Sequence, residues 1–88
     1  MTEEEIQLIE KRCAAATKGP WKSFVEGRDH ESGSDIIQTG GDDPDSPDIE
    51  LIGATVEDQE FIASARQDVP CLIEEIRRLR HRLKESSK

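Results

Sequence analysis

Val69, Leu72, Ile76, Leu79 and Leu83 recur at alternating three- and four-residue intervals near the end of the chain. That spacing gathers them into one stripe of a helix, the seam of a short coiled coil, and such a stripe is stable only against another helix. The rest of the chain offers little else to build a core. It has 88 residues, of which 33% are hydrophobic, with two Phe, one Trp and no Tyr. A single small domain, residues 1–88, is all this length allows, and as a monomer it buries little apolar surface against the entropy of ordering the chain. Assembly into a homo-oligomer, dimer or tetramer, is the expected further source of buried area, with Val69, Leu72, Ile76, Leu79 and Leu83 as its interface. Whether the helix that meets this seam belongs to the same chain or to another stays open at this level.

Upstream, the hydrophobic period changes twice. Thr2 and Glu5 have capping-box spacing, so a helix is expected to start there, with Ile6, Ile9, Cys13 and Ala16 facing inward and Leu8 beside them. Gly19-Pro20 should stop it. Short extended patterns follow over Trp21–Glu26, Ile36–Thr39 and Asp48–Ile52, separated by the polar loop Gly27–Ser34 and by the turn-rich run Gly40–Pro47. Thr55 with Asp58 is a weaker cap signal, after which Val56, Phe61, Ile62 and Ala65 form a candidate buried face. Asp68 is read as a new cap with Pro70 in the first turn of a separate last helix. The fold class is therefore α+β: an N-terminal helix, a three-stranded antiparallel meander and two C-terminal helical segments, the last with the heptad seam, in an oligomer.

Charge and composition exclude several functions. A formal charge of -8 argues against binding DNA through its phosphates, because that requires Lys and Arg to displace counterions. No window is apolar enough for a membrane span and no secretory n-region and h-region open the chain, so a soluble protein of the cytoplasm is expected. Cys13 and Cys71 stand alone, without the spacing of a zinc site, and read as small buried apolar groups. The acidic run Asp43, Asp45, Asp48 and Glu50 is interrupted by prolines and lacks the glycine and terminal glutamate of an EF-hand loop, so neither a metal nor a cofactor is expected. Asp29, His30 and Ser32 or Ser34 include the residue types of an acid, a base and a nucleophile, but adjacent residues seldom converge on one centre and no nucleophile elbow is present. A catalytic set is not expected. The basic end at Arg77, Arg78, Arg80, Arg82 and Lys84 reads first as a solvated helix face, with Glu74 and Glu75 spaced to pair with Arg78.

Recognition chemistry concentrates elsewhere. Gly27-Arg28-Asp29-His30-Glu31-Ser32-Gly33 combines glycines, a guanidinium fork suited to phosphate, and hydrogen-bonding His and Ser side chains. Trp21 and Phe24 offer ring faces to a base, Ser23 a hydroxyl, and Arg66 a further cation beside the expected helix start at Asp68. The candidate ligand-binding residues are thus Trp21, Ser23, Phe24, Arg28, His30, Ser32, Gly33 and Arg66. Two readings stay open for the main ones: Trp21 fills a core or stacks on a ligand, and Arg28 meets a ligand or an internal carboxylate.

The words Ala14-Ala15-Ala16-Thr17-Lys18-Gly19-Pro20-Trp21 and Asp58–Pro70, the latter carrying Phe61-Ile62-Ala63 and Ala65-Arg66, followed by an Ile/Leu-rich Glu/Arg helix, resemble a group of small phage and prophage proteins. The likeness spans nearly the whole chain outside the Asp-rich loop. In size and α+β plan the chain is similar in outline to anti-CBASS nucleotide sponges, phage counter-defence proteins of the infected bacterial cell. That resemblance implies a homo-oligomer that sequesters a cyclic oligonucleotide of the cyclic dinucleotide class without cleaving it, in pockets between subunits. The alternative is a small interaction or regulatory protein that docks on a host protein through its C-terminal helix and acidic surface.

Overall fold

The computed structural model describes residues 1–86 and has the element order α1 (Glu3–Ala15), β1 (Lys22–Phe24), β2 (Asp35–Gln38), β3 (Asp48–Leu51) and α2 (Val56–Ser86). The fold is α+β. Helix α1 begins where the capping box placed it: the Glu5 amide donates to the Thr2 hydroxyl at 3.1 Å and the Thr2 amide to the Glu5 carboxylate at 2.9 Å. It ends at Ala15, ahead of the cis Gly19–Pro20 peptide, with Ala16 as its cap in extended conformation. The strands form an antiparallel meander in the order β1-β2-β3, with Ser23 opposite Ile37 and Ile37 opposite Ile49.

The C-terminal half departs from the sequence reading, first in its helix boundaries. The expected break at Asp68–Pro70 is absent, and α2 runs without interruption for 31 residues with Pro70 inside it. Proline cannot donate to the Arg66 carbonyl, a loss that costs about 3 kcal/mol in a helix interior. Packing on both sides offsets it: Gln59 and Ala63 are buried before the proline, where α2 meets β1, and Ile73 after it, where α2 meets α1. Asp68 is exposed and caps nothing, while Thr55 and Asp58 do cap α2, exchanging backbone-to-side-chain bonds of 3.1 and 3.0 Å.

The inward face of α2 is also rotated from the one expected. Val56, Phe61 and Ile62 are exposed and Ala65 is half-buried, whereas Gln59 is 1% exposed. Its side-chain amide donates to the carbonyls of Phe24 at 3.1 Å and Ile36 at 3.0 Å, so a polar side chain fastens the helix to two strands. The buried apolar residues are Ile6, Val25, Ile37, Ala63 and Ile73. Of the two cysteines, Cys13 is half-buried and Cys71 is exposed on α2, so the latter is no core residue.

Candidate functional site

The loop after β1 is closed on itself. Asp29 accepts the Val25 amide at 2.8 Å and both Nε and Nη2 of Arg28, at 3.1 and 2.8 Å, while Arg28 also reaches Glu60 of α2 at 2.6 Å. Arg28 is thereby an internal ion-pair partner between loop and helix. Bonding to Asp29 and then Glu60 raises its already high pKa, and bonding to Arg28 and the Val25 amide holds Asp29 below the usual carboxylate value. The Glu26 carboxylate takes the amides of Ser32 at 3.0 Å and Gly33 at 2.9 Å, the two donors best placed to cradle an anion. Gly27 and Gly33 hold φ of 80° and 93°, and a Cβ at either would meet no atom within 4 Å, so their role is to turn the chain.

His30 and Ser32 do meet, at 2.9 Å between Nδ1 and Oγ, with Glu26 3.6 Å from Nε2. Asp29 is spent on Arg28 instead. Phe24 is half-buried, its ring tilted at 59° to that of His30 with centroids 5.9 Å apart, and the Lys22 ammonium lies 5.2 Å from its centroid. Ser23 turns its hydroxyl inward, where it has no hydrogen-bond partner.

Trp21 and Arg66 come together at a different place. The indole N–H and the Arg66 Nε both donate to the Thr17 carbonyl, each at 3.0 Å. Gln67 clamps the Trp21 backbone, accepting its N–H at 3.0 Å and donating to its carbonyl at 3.3 Å. The result is a groove of about 270 Å³ between α1 and α2, lined by Trp21, Arg66, Arg12, Ile9, Ile62 and Val69 among others. It has an apolar floor, one aromatic face and two guanidinium groups. Arg12 has no ion-pair partner among the described residues, and Arg66 bonds Thr17 through Nε, with its Nη donors in addition.

Arg12 and Gln67 carry no signal in the sequence for these roles, because each depends on how α1 crosses α2. The seam lies beside the groove and α1 does not close it: Leu72, Leu79 and Leu83 are 60%, 46% and 70% exposed, with Val69 and Ile76 half-buried at the α1 side. Among the described residues no cluster of three or more His, Cys, Asp or Glu side chains is placed to hold a metal ion, and no helix is long and apolar enough to cross a membrane. No family model, curated protein or solved structure matches the chain.

Proposed function

We propose that this protein is a non-catalytic binding protein of phage counter-defence, which takes up an anionic, base-bearing ligand of the cyclic dinucleotide class in the α1/α2 groove. The observation that carries the reading is the pairing of Trp21 with Arg66 on one carbonyl, beside Arg12. An indole offers a stacking surface to any base, and a guanidinium fork suits a phosphate. At about 270 Å³ the groove is smaller than the roughly 300–1,000 Å³ of sites that enclose a whole small molecule. It suits one base and its phosphate, and a two-fold ligand then needs two grooves, one from each of two chains. Val69 belongs to both the groove and the seam, which supports a reading with ligand and subunit contacts side by side.

Sequestration needs tight binding and no chemistry. Calorimetry with a panel of cyclic di- and trinucleotides is expected to show one ligand per pair of chains, recovered intact after denaturation, with binding abolished in Arg66→Ala. Silence across the panel overturns the reading. The interaction-protein alternative draws on the same exposed seam: there, changes at Leu72 or Leu79 abolish capture of a host protein while Arg66→Ala leaves it unaltered.

A further inference from the structure

We infer that the exposed face of α2 is the docking surface for a second copy of this chain, laid antiparallel, with Asp68 of each copy against Arg82 of the other. This deepens the reading above by naming how two chains join, and it rests on that proposed assembly though not on the identity of any ligand.

The apolar stripe is longer than the seam alone. Ile62 and Ala65 extend the three-four alternation through Val69, Leu72, Ile76, Leu79 and Leu83, and Phe61 flanks its first turn. From Ile62 to Leu83 this runs about 32 Å along the helix. Phe61, Ile62, Leu72, Leu79 and Leu83 are all exposed, in a chain whose buried apolar residues are Ile6, Val25, Ile37, Ala63 and Ile73. More large apolar side chains lie on this face than in the core, which is the condition of a subunit and not of a stable monomer.

Charge selects the occupant and its direction. The first half of α2 carries Glu57, Asp58, Glu60 and Asp68 against Arg66, a net negative charge, and the second half Arg77, Arg78, Arg80, Arg82 and Lys84 against Glu74, Glu75 and Glu85, a net positive one. A parallel in-register pair sets Asp68 opposite Ile73, where it meets no cation. An antiparallel pair sets each acidic half along a basic one.

The register follows from the same positions. With Leu72 of one copy packed on Ile76 of the other, Val69 meets Leu79 and Ala65 meets Leu83. On the flank away from α1, Asp68 then faces Arg82, and neither has an ion-pair partner among the described residues of its own chain. Glu75 faces its own symmetry mate, and each is already neutralised by Arg78 of its chain through bonds of 3.0 and 2.5 Å. Sliding by one heptad in one direction sets Asp68 against Glu75, two like charges, and in the other pairs Glu75 with Arg82 but leaves Ala65 and Val69 with no apolar residue of the stripe opposite them. On the α1 flank the same register sets Arg80 of the second copy opposite Arg66, a like-charge pair tempered by the contacts Arg80 makes with Glu3 and the Met1 carbonyl of its own chain.

The test is sedimentation equilibrium of the full chain with charge reversals and cysteine pairs. The wild type is expected to be a dimer of the 9.9 kDa chain. Asp68→Arg and Arg82→Asp should each weaken dimerisation about tenfold, and the double reversal should restore it. Leu72→Asp should give a monomer whose circular dichroism remains helical. In a Cys13→Ser, Cys71→Ser background, Glu75→Cys should cross-link to itself under mild oxidation and Leu83→Cys should not. A wild-type monomer, a double reversal no better than the single ones, or self-linking at Leu83 with none at Glu75 overturns the proposal. A dimer that passes these tests yet binds no cyclic nucleotide leaves the docking surface standing and sinks the ligand reading alone.

Discussion

The Trp21 indole and the Arg66 guanidinium donate to the same oxygen, the Thr17 carbonyl, each at 3.0 Å. That carbonyl lies in the segment that leaves α1, after the helix has ended at Ala15, so its lone pairs are available to both groups. The shared acceptor fixes an aromatic face and a cation relative to each other. It also ties the end of α1 to the middle of α2, since Thr17 and Arg66 are far apart in sequence.

Trp21 is the only Trp in the chain, so its emission reports on this groove alone. A cyclic dinucleotide that stacks there is expected to quench the emission, and Arg66→Ala should remove the quenching at the same ligand concentration. Trp21→Phe keeps a ring but loses the bond to Thr17, which should lower stability by about 1 kcal/mol in urea denaturation. Unchanged emission on saturating ligand would place the bound nucleotide elsewhere.

Gln59 is the buried polar link between α2 and the sheet. Gln59→Leu fills similar space but strands the carbonyls of Phe24 and Ile36, at a cost of about 1–3 kcal/mol. Gln59→Glu should be worse at neutral pH than at acid pH, because only the protonated carboxyl can donate to a carbonyl. Urea midpoints at the two pH values test both statements, and a Leu variant as stable as the wild type would deny the bonds any net worth.

How far the sequence spoke depended on whether a signal was local. Thr2 with Glu5 and Thr55 with Asp58 cap helices as their spacing requires, because a cap involves residues three positions apart. The meander likewise follows from short apolar patterns between turn formers. What misled was tertiary: the helix signal at Asp68–Pro70 is overridden by packing on either side, and Gln59 takes an inward place that its polarity hid. In the candidate site, Trp21 and Arg66 are legible as residue types, but only the crossing of α1 and α2 brings them together. The Gly27–Gly33 loop has the composition of an anion site, yet Glu26 just before it takes the Ser32 and Gly33 amides and Asp29 within it takes the Arg28 guanidinium, which composition alone does not reveal.

Three depressed carboxylates tie the stability of the fold to pH. Glu5, Asp29 and Glu75 are held below their ordinary values of 4.5, 3.8 and 4.5 by the Thr2 backbone, Arg28 and Arg78 respectively. The unfolded chain therefore binds protons more readily than the folded one. The stability these groups contribute is full above their unfolded values and is lost as pH falls through the lower folded values. Urea midpoints should stay level down to about pH 5 and drop below it. Arg28→Met should flatten part of that drop, since Asp29 loses the largest cause of its shift, and an unchanged acid limb would show that Arg28 and Asp29 do not pair in solution.

Pro70 gives the clearest test of the continuous helix. If α2 passes through it, the Arg66 carbonyl lacks its in-helix donor, and Pro70→Ala restores one by supplying an amide N–H at position 70. Alanine also has the higher helix propensity, by about 3 kcal/mol in an interior position, while the unfolded chain regains roughly 0.4–1 kcal/mol of freedom that proline had removed. The helix term is the larger, so Pro70→Ala should raise stability by about 1–2 kcal/mol, after part of it is lost to side-chain adjustment at a half-buried site. Thermal denaturation followed at the helical circular dichroism band measures it. Were α2 instead two helices with Pro70 in the first turn of the second, proline would suit its position, and the same substitution would be neutral or destabilising.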